Sequence, residues 1–179
     1  MTTVGHTLVG LSIGALAVPR SWRPSAKVLG GGALAGLANL PDIPLPFWGH
    51  AEYAVSHSLF VNLALVGVAV AVLWSWRALR GCIGGTPVVA AGVAAWLSHL
   101  LLDTMYNHGH GLRMFWPLSR ASLALPVPWF ATMQAGWTPS DHNLRVWAIE
   151  LACYGPLLLV CLFVRRWRRQ RRAGCPVPG

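Results

Sequence analysis

PVVAAGVAAWLSHLLLD, residues 87–103, is an apolar run that ends on an imidazole and a carboxylate. Its length approaches the roughly 20 residues that a bilayer-spanning helix needs. Its ionisable side chains, His99 and Asp103, stand four residues apart at its end, so a helix projects both from one face about one turn apart. A charged group inside hydrocarbon costs on the order of 2.5–3.5 kcal/mol, which is why such residues mark function or a partnered cavity. The run therefore reads as a membrane helix that delivers two ligands to one boundary of the bilayer.

Four more apolar segments flank it. Residues 57–76 and 144–164 are long enough to span, whereas 5–18 and 27–40 have 14 residues each and reach only about 21 Å at 1.5 Å per residue. Of the 179 residues, 55% are hydrophobic and 11% charged, against roughly 25% charged in a soluble domain. The expected fold is all-α: an integral membrane bundle of about five apolar segments in one domain, 1–164, followed by a basic tail, 165–179. The first basic residue, Arg20, follows the first apolar run instead of preceding it, so no cleaved secretory leader is expected. Cys82, Cys153, Cys161 and Cys175 form no C-x-x-C pair and read as apolar filler.

Charge sets the expected orientation. Arg20, Arg23 and Lys27 follow the first segment, Arg77 and Arg80 the third, and six arginines lie between Arg165 and Arg172, so 11 of the 14 basic residues share one side. The basic-rich side is expected to be cytoplasmic, with the N-terminus outside and the C-terminus inside. Basic clusters also neutralise nucleic-acid phosphates. Directly after a spanning helix, however, an arginine run with an interfacial Trp167 reads as an anchor to anionic lipid headgroups, and no nucleic-acid partner is expected. Pro41, Pro44 and Pro46 break the chain after the second segment. Residues 104–143, with Pro117, Pro126, Pro128 and Pro139 among Trp116, Trp129, Phe130 and Trp137, read as an interfacial lid. Gly81, Gly84, Gly85 and Pro87 form a breaker on the opposite side.

On this topology Asp42 ends the second segment, His57 opens the third, and His99 and Asp103 end the fourth, all at the non-cytoplasmic boundary. Singly, Asp42 reads as a turn residue, His57 as an interfacial histidine, and Ser56 or Ser58 as a helix cap. Together, in a chain with five acidic residues, they read as one cation site. Neutral imidazole and carboxylate suit zinc, and related oxygen-rich sites suit manganese or magnesium. His6, on the same side, reads as a further ligand, a proton carrier or a frayed terminal residue. His108 and His110 lie in a Gly-rich turn, Asp141 and His142 at a helix start, and His50 and Glu52 in a solvated loop.

The order Gly5-His6, Leu40-Pro41-Asp42, Ser56-His57-Ser58-Leu59 and Ser98-His99-Leu100-Leu101-Leu102-Asp103 resembles the LexA-binding, inner-membrane-associated metal-dependent hydrolases, the YdjM-like family. The stretch 111–119, with Trp116-Pro117-Leu118-Ser119, is similar to that family's segment after its H-x-x-x-D motif. A fainter likeness is to zinc-dependent phospholipase C and related phosphoesterases. The sequence departs from the family's P-D-x-D pattern, with Pro44 where a second acidic residue is common, and it has no basic residue between Ala51 and Val55. The resemblance implies an inner-membrane metal-dependent hydrolase. His6, Asp42, His57, His99 and Asp103 are the expected ligands of a divalent ion, zinc first, and His57, His99 and Asp103 the expected catalytic residues. The expected substrate is a phosphoester or lipid-like ester at the outer interface. The competing expectation is a non-enzymatic membrane protein with a structural metal or an ion or proton pathway.

Overall fold

The computed structural model describes residues 1–76, 85–106, 111–125, 127–134 and 140–173. Arg77, Arg80, Gly81, Cys82, Gly84, His108, His110, Pro126, Trp137, Pro139 and Cys175 lie outside the described residues, as do the side chains of His50 and Arg172. The architecture is all-α. Its α-helices are α1 (Thr3–Ala17), α2 (Pro24–Ala38), α3 (Tyr53–Ser56), α4 (Leu59–Ser75), α5 (Thr86–Asp103) and α6 (Asp141–Ala173), with 3-10 turns at Leu40–Asp42 and Gly49–Glu52. The only pairing of strand type among the described residues is a single bridge between Leu112 and Leu123.

Local chemistry starts each helix. Thr2 caps α1 by accepting from Val4 N at 3.1 Å, and Ser58 caps α4 by accepting from Val61 N at 3.3 Å. Pro24 and Pro87 stand in the first turns of α2 and α5, where a missing N–H costs nothing. Helix α6 begins at Asp141 and runs past the end of its apolar stretch, through the arginine run, to Ala173. Arginine is a good helix former, so the end of hydropathy at residue 164 is not the end of the helix.

Helix directions follow from the contacts. A Cβ on Gly10 would stand 2.6 Å from Ala35 Cα, and one on Gly14 would stand 3.3 Å from Gly31 Cα. Small residues thus let α1 and α2 pack backbone to backbone, antiparallel, as membrane helices commonly do. Helix α6 runs parallel to α1: Glu150 meets Thr2 and Gly5 at one end, and Arg165 meets Ala15 and Val18 at the other. His99 lies against Ala38, and Asn62 against Trp96, so α5 runs parallel to α2 and antiparallel to α4. The start of α1, the end of α2, the start of α4 and the end of α5 are therefore gathered at one end of the bundle.

The burial pattern is inverted relative to a water-soluble protein. His6, Ser56, His57, Ser58, Asn62, His99 and Glu150 are fully buried, whereas Val28, Leu29, Leu159 and Phe163 are each about two-thirds exposed or more. Apolar surface of this extent needs an apolar solvent. Two helices, α5 and the Asp141–Arg171 part of α6, are long and apolar enough to cross a membrane, and α1 and α4 are shorter apolar helices. The connection after α5 folds back over the gathered end. Leu125 N donates to Thr104 O at 2.7 Å, Val127 N to Met105 O at 2.9 Å, and Phe130 stacks on Tyr106 with ring centroids 4.7 Å apart.

Candidate metal centre

Four chain segments deliver five ligand-type side chains to one point. His6 comes from the second turn of α1, Asp42 from the 3-10 turn that Pro41 imposes after α2, His57 from the link between α3 and α4, and His99 and Asp103 from the last turns of α5. His57 Nε2 stands 3.2 Å from His99 Nε2, 3.3 Å from Asp42 Oδ1 and 3.5 Å from Asp103 Oδ2. His99 Nε2 stands 3.7 Å from Asp42 Oδ1 and 3.5 Å from Asp103 Oδ2. His6 Nε2 approaches the other carboxylate oxygen, Asp103 Oδ1, at 3.2 Å, and its ring stacks on His99 with centroids 3.7 Å apart. His6, Asp42, His99 and Asp103 each bring a ligand atom to within 4.8 Å of the others'.

Hydrogen bonding behind the rings assigns their tautomers. His99 Nδ1 faces the Ala38 carbonyl at 2.8 Å and can only donate to it. Ser56 Oγ gives its proton to the Gly49 carbonyl at 3.0 Å, so it accepts from His57 Nδ1 at 2.8 Å. Both imidazoles, when neutral, therefore turn a bare Nε2 lone pair toward the cluster, the orientation that second-layer partners impose on metal-binding histidines. Two lone pairs 3.2 Å apart, facing two carboxylates, repel one another unless a proton or a metal cation lies among them; the N-terminal ammonium of Met1 already meets Asp103 Oδ1 at 2.7 Å.

The donor set fits a metal cation. Four donors at about 2.0–2.2 Å from a tetrahedral ion stand about 3.3–3.6 Å from one another, and five of the six distances among His57, His99, Asp42 and Asp103 run from 3.2 to 3.7 Å. Burial pushes the Asp42 carboxyl up, and a proton on the neighbouring Nε2 of His57 or His99 outweighs burial and holds it below the usual carboxylate range. His6, His57, His99 and Asp103 are buried, and Asp42, 16% exposed, is the donor nearest solvent. Tyr53 stacks on His57 at 3.9 Å and closes that side.

The other residues singled out by sequence fall elsewhere. Glu52 is exposed in its turn, and His142 donates through Nε2 to the Thr132 carbonyl at 2.9 Å. The lid segment closes on the start of α4, where Leu59 N donates to Met114 O at 2.8 Å and Ser58 Oγ donates to Trp116 O.

Two supporting residues escaped the sequence reading. Asn62 donates to the Ser56 and Ser58 carbonyls, both at 2.7 Å, and accepts from Trp96 Nε1 at 2.7 Å, tying the His57 turn to α5. Glu150 accepts from Thr2 N at 2.7 Å, from Gly5 N at 3.0 Å and from the Thr2 hydroxyl, gripping the turn that carries His6. The available signal for each was a polar residue inside an apolar segment.

A family model described as YdjM inner membrane protein matches residues 1–170. No curated protein and no solved structure matches the chain.

Proposed function

The chain belongs to the YdjM inner membrane protein family, and on that premise we propose that it is a membrane-bound metal-dependent hydrolase. The observation that carries the reading is the donor set: two bare imidazole nitrogens and two carboxylate oxygens, from three separate elements, spaced 3.2–3.7 Å apart. His57, His99, Asp42 and Asp103 would hold the ion, and His6 would add a ligand or carry a proton at Asp103 Oδ1, the oxygen that the N-terminal ammonium of Met1 also meets at 2.7 Å. Imidazole and carboxylate donors of this kind would suit zinc, with manganese or magnesium as alternatives, and hydrolysis would need one position on the ion left to water. Bound there, a divalent ion supplies Lewis acidity that polarises an ester oxygen and makes water acidic enough to ionise near pH 7.

The chain's own residues do the rest. Ser56 and the Ala38 carbonyl hold the imidazoles in their binding tautomers, Tyr53 and the folded-back connection at 111–125 and 127–130 exclude water, and Asp42 marks the way in. Leu45 and Phe47, three and five residues after Asp42 in the chain, are exposed, which favours a lipid-like ester or phosphoester presented at an interface. The five long helices cross the bilayer in alternation, with the metal centre at the outer boundary. The arginine-rich end of α6 faces the cytoplasm and anionic headgroups.

Elemental analysis of detergent-purified protein tests the centre without a substrate. Wild type is expected to hold about one divalent ion per chain and His99→Ala less than a tenth of that, at equal expression. The ion-loaded protein is then expected to hydrolyse a member of a phosphoester panel that includes phospholipids, and His99→Ala to be inactive. An ion-loaded wild type inert across that panel rejects the hydrolase. The burial of four of the five donors favours one alternative, a structural ion: an ion that never exchanges, with unfolding on chelation, identifies it, and ion flux in liposomes lost in Asp103→Asn identifies a pathway instead.

A further inference from the structure

The opposite end of the bundle carries a second site, of the contrary charge. Arg20 and Lys27, from the α1–α2 turn and the start of α2, meet Arg165, Arg166 and Arg169 of α6 around one crevice of about 600 Å³ floored by Leu162. In sequence the two groups lie about 140 residues apart; the parallel pairing of α1 and α6 brings them together.

Two of the five cations are engaged with backbone. Arg165 Nη1 donates to the Ala15 and Val18 carbonyls at 2.7 and 3.0 Å, closing the end of α1, and Arg20 Nη2 donates to Arg165 O at 3.0 Å. They fix the crevice walls. Lys27 on one wall, and Arg166 and Arg169 on the same face of α6 on the other, make no ion pair among the described residues. Nor is an acidic neighbour at hand in sequence. The chain's five acids are Asp42, Asp103, Glu150, Glu52 and Asp141. The first three belong to the metal centre or its support, and the other two lie in the Gly49–Glu52 turn and at the start of α6. Five like charges around one crevice with no counter-charge call for an anion from outside.

The surroundings say which kind. Along α6, Leu162 lines the crevice, and the exposed Leu159 and Phe163 continue its apolar surface away from the arginines. An occupant with phosphate at the cations and hydrocarbon along that surface matches both halves, and basic pockets between membrane helices bind such headgroups. We propose that this crevice is a discrete binding site for an anionic phospholipid, and that its two cationic walls select a headgroup with two phosphates over one with a single phosphate. The site rests on the membrane reading of the chain and is independent of the hydrolase.

Native mass spectrometry of the full chain in detergent tests it, with a four-chain diphosphatidylglycerol, phosphatidylglycerol, phosphatidylcholine and inorganic pyrophosphate as probes. The two-phosphate lipid is expected to bind one per chain, at least tenfold tighter than phosphatidylglycerol, with phosphatidylcholine and pyrophosphate weaker still. Lys27→Gln with Arg166→Gln is expected to weaken it at least tenfold. Arg168→Gln with Arg171→Gln removes the same charge beside the crevice and is expected to change it less than threefold; Arg171 instead lies over the Trp167 ring at 4.1 Å. Equal losses in the two double variants would show a diffuse basic coat and overturn the site, and pyrophosphate binding as tightly as the lipid would overturn a lipid ligand. An unchanged thermal unfolding midpoint in detergent for all variants shows that the fold has been kept, so this test fails or succeeds apart from the metal centre.

Discussion

Helices α1 and α6 are pinned together twice, and the two pins are chemical opposites. At the metal-centre end the Glu150 carboxylate, fully buried, accepts from the free N–H groups that open α1. At the far end the Arg165 guanidinium, partly exposed, donates to the free carbonyls that close it. Both pins follow from the unpaired groups at helix ends and from the helix dipole, which favours an anion at the start and a cation at the finish. They differ in solvent. The buried pin has no water to replace a lost partner and therefore fixes geometry at the end of the bundle where His6 stands. The other pin keeps its guanidinium partly within reach of solvent.

The sharpest way to break the comparison is Glu150→Gln. The amide keeps the shape but turns an NH2 group toward N–H and O–H donors in a buried site, and hydrogen bonds to a charged partner contribute about 1.5–3 kcal/mol. Thermal unfolding in detergent is expected to show a loss of about 3 kcal/mol. Ion content is expected to fall less than in His99→Ala, because His6 loses its support while the four closely spaced donors keep theirs. A variant as stable as wild type would mean that Glu150 merely occupies the space.

Glu150 also shows how far the sequence could be read. The ligands were legible because each stands at the end of an apolar run, where an Asp or His is conspicuous: Asp42 beside Pro41, His57 beside the Ser58 cap, and His99 with Asp103 at one helical turn's spacing. Segment order alone then placed them at one boundary. Glu150 sits mid-segment, and its partners, Thr2 and Gly5, are almost the whole chain away; nothing local says what it faces. The same holds for Asn62 and Trp96, and for the crevice that unites Lys27 with Arg166. Pairings between distant helices are set by side-chain fit across an interface, and hydropathy has no view of fit.

Gly10→Val is the next largest test, because it attacks the interface through which the pins act. Its Cβ would stand 2.6 Å from Ala35 Cα and 2.7 Å from Leu34 O, both backbone atoms that cannot swing aside. Overpacking of this kind costs about 1–3 kcal/mol. The variant is expected to lose about 2 kcal/mol and to move α1 away from α2, parting Asn39 Nδ2 from Thr7 Oγ1, now 3.1 Å apart. Because His6 rides on α1 and Asp42 follows α2, ion content is expected to drop with stability, whereas a surface substitution such as Val28→Leu is expected to change neither.

Arg165→Gln gives the smallest effect and sharpens the contrast most. Arg165 is only partly buried, so water takes up part of what the guanidinium leaves, and the expected loss is about 1 kcal/mol by thermal unfolding, with metal content unchanged. The two pins are 15 residues apart on α6, roughly 22 Å along a helix, and share no partner. Sites so separated usually add within about 0.5 kcal/mol. Glu150→Gln combined with Arg165→Gln is therefore expected to lose the sum of the two single losses. A combined loss well below that sum would mean that α1 leaves α6 as a unit once either end is released, so that the pins hold a single contact and the difference between buried and exposed ends disappears.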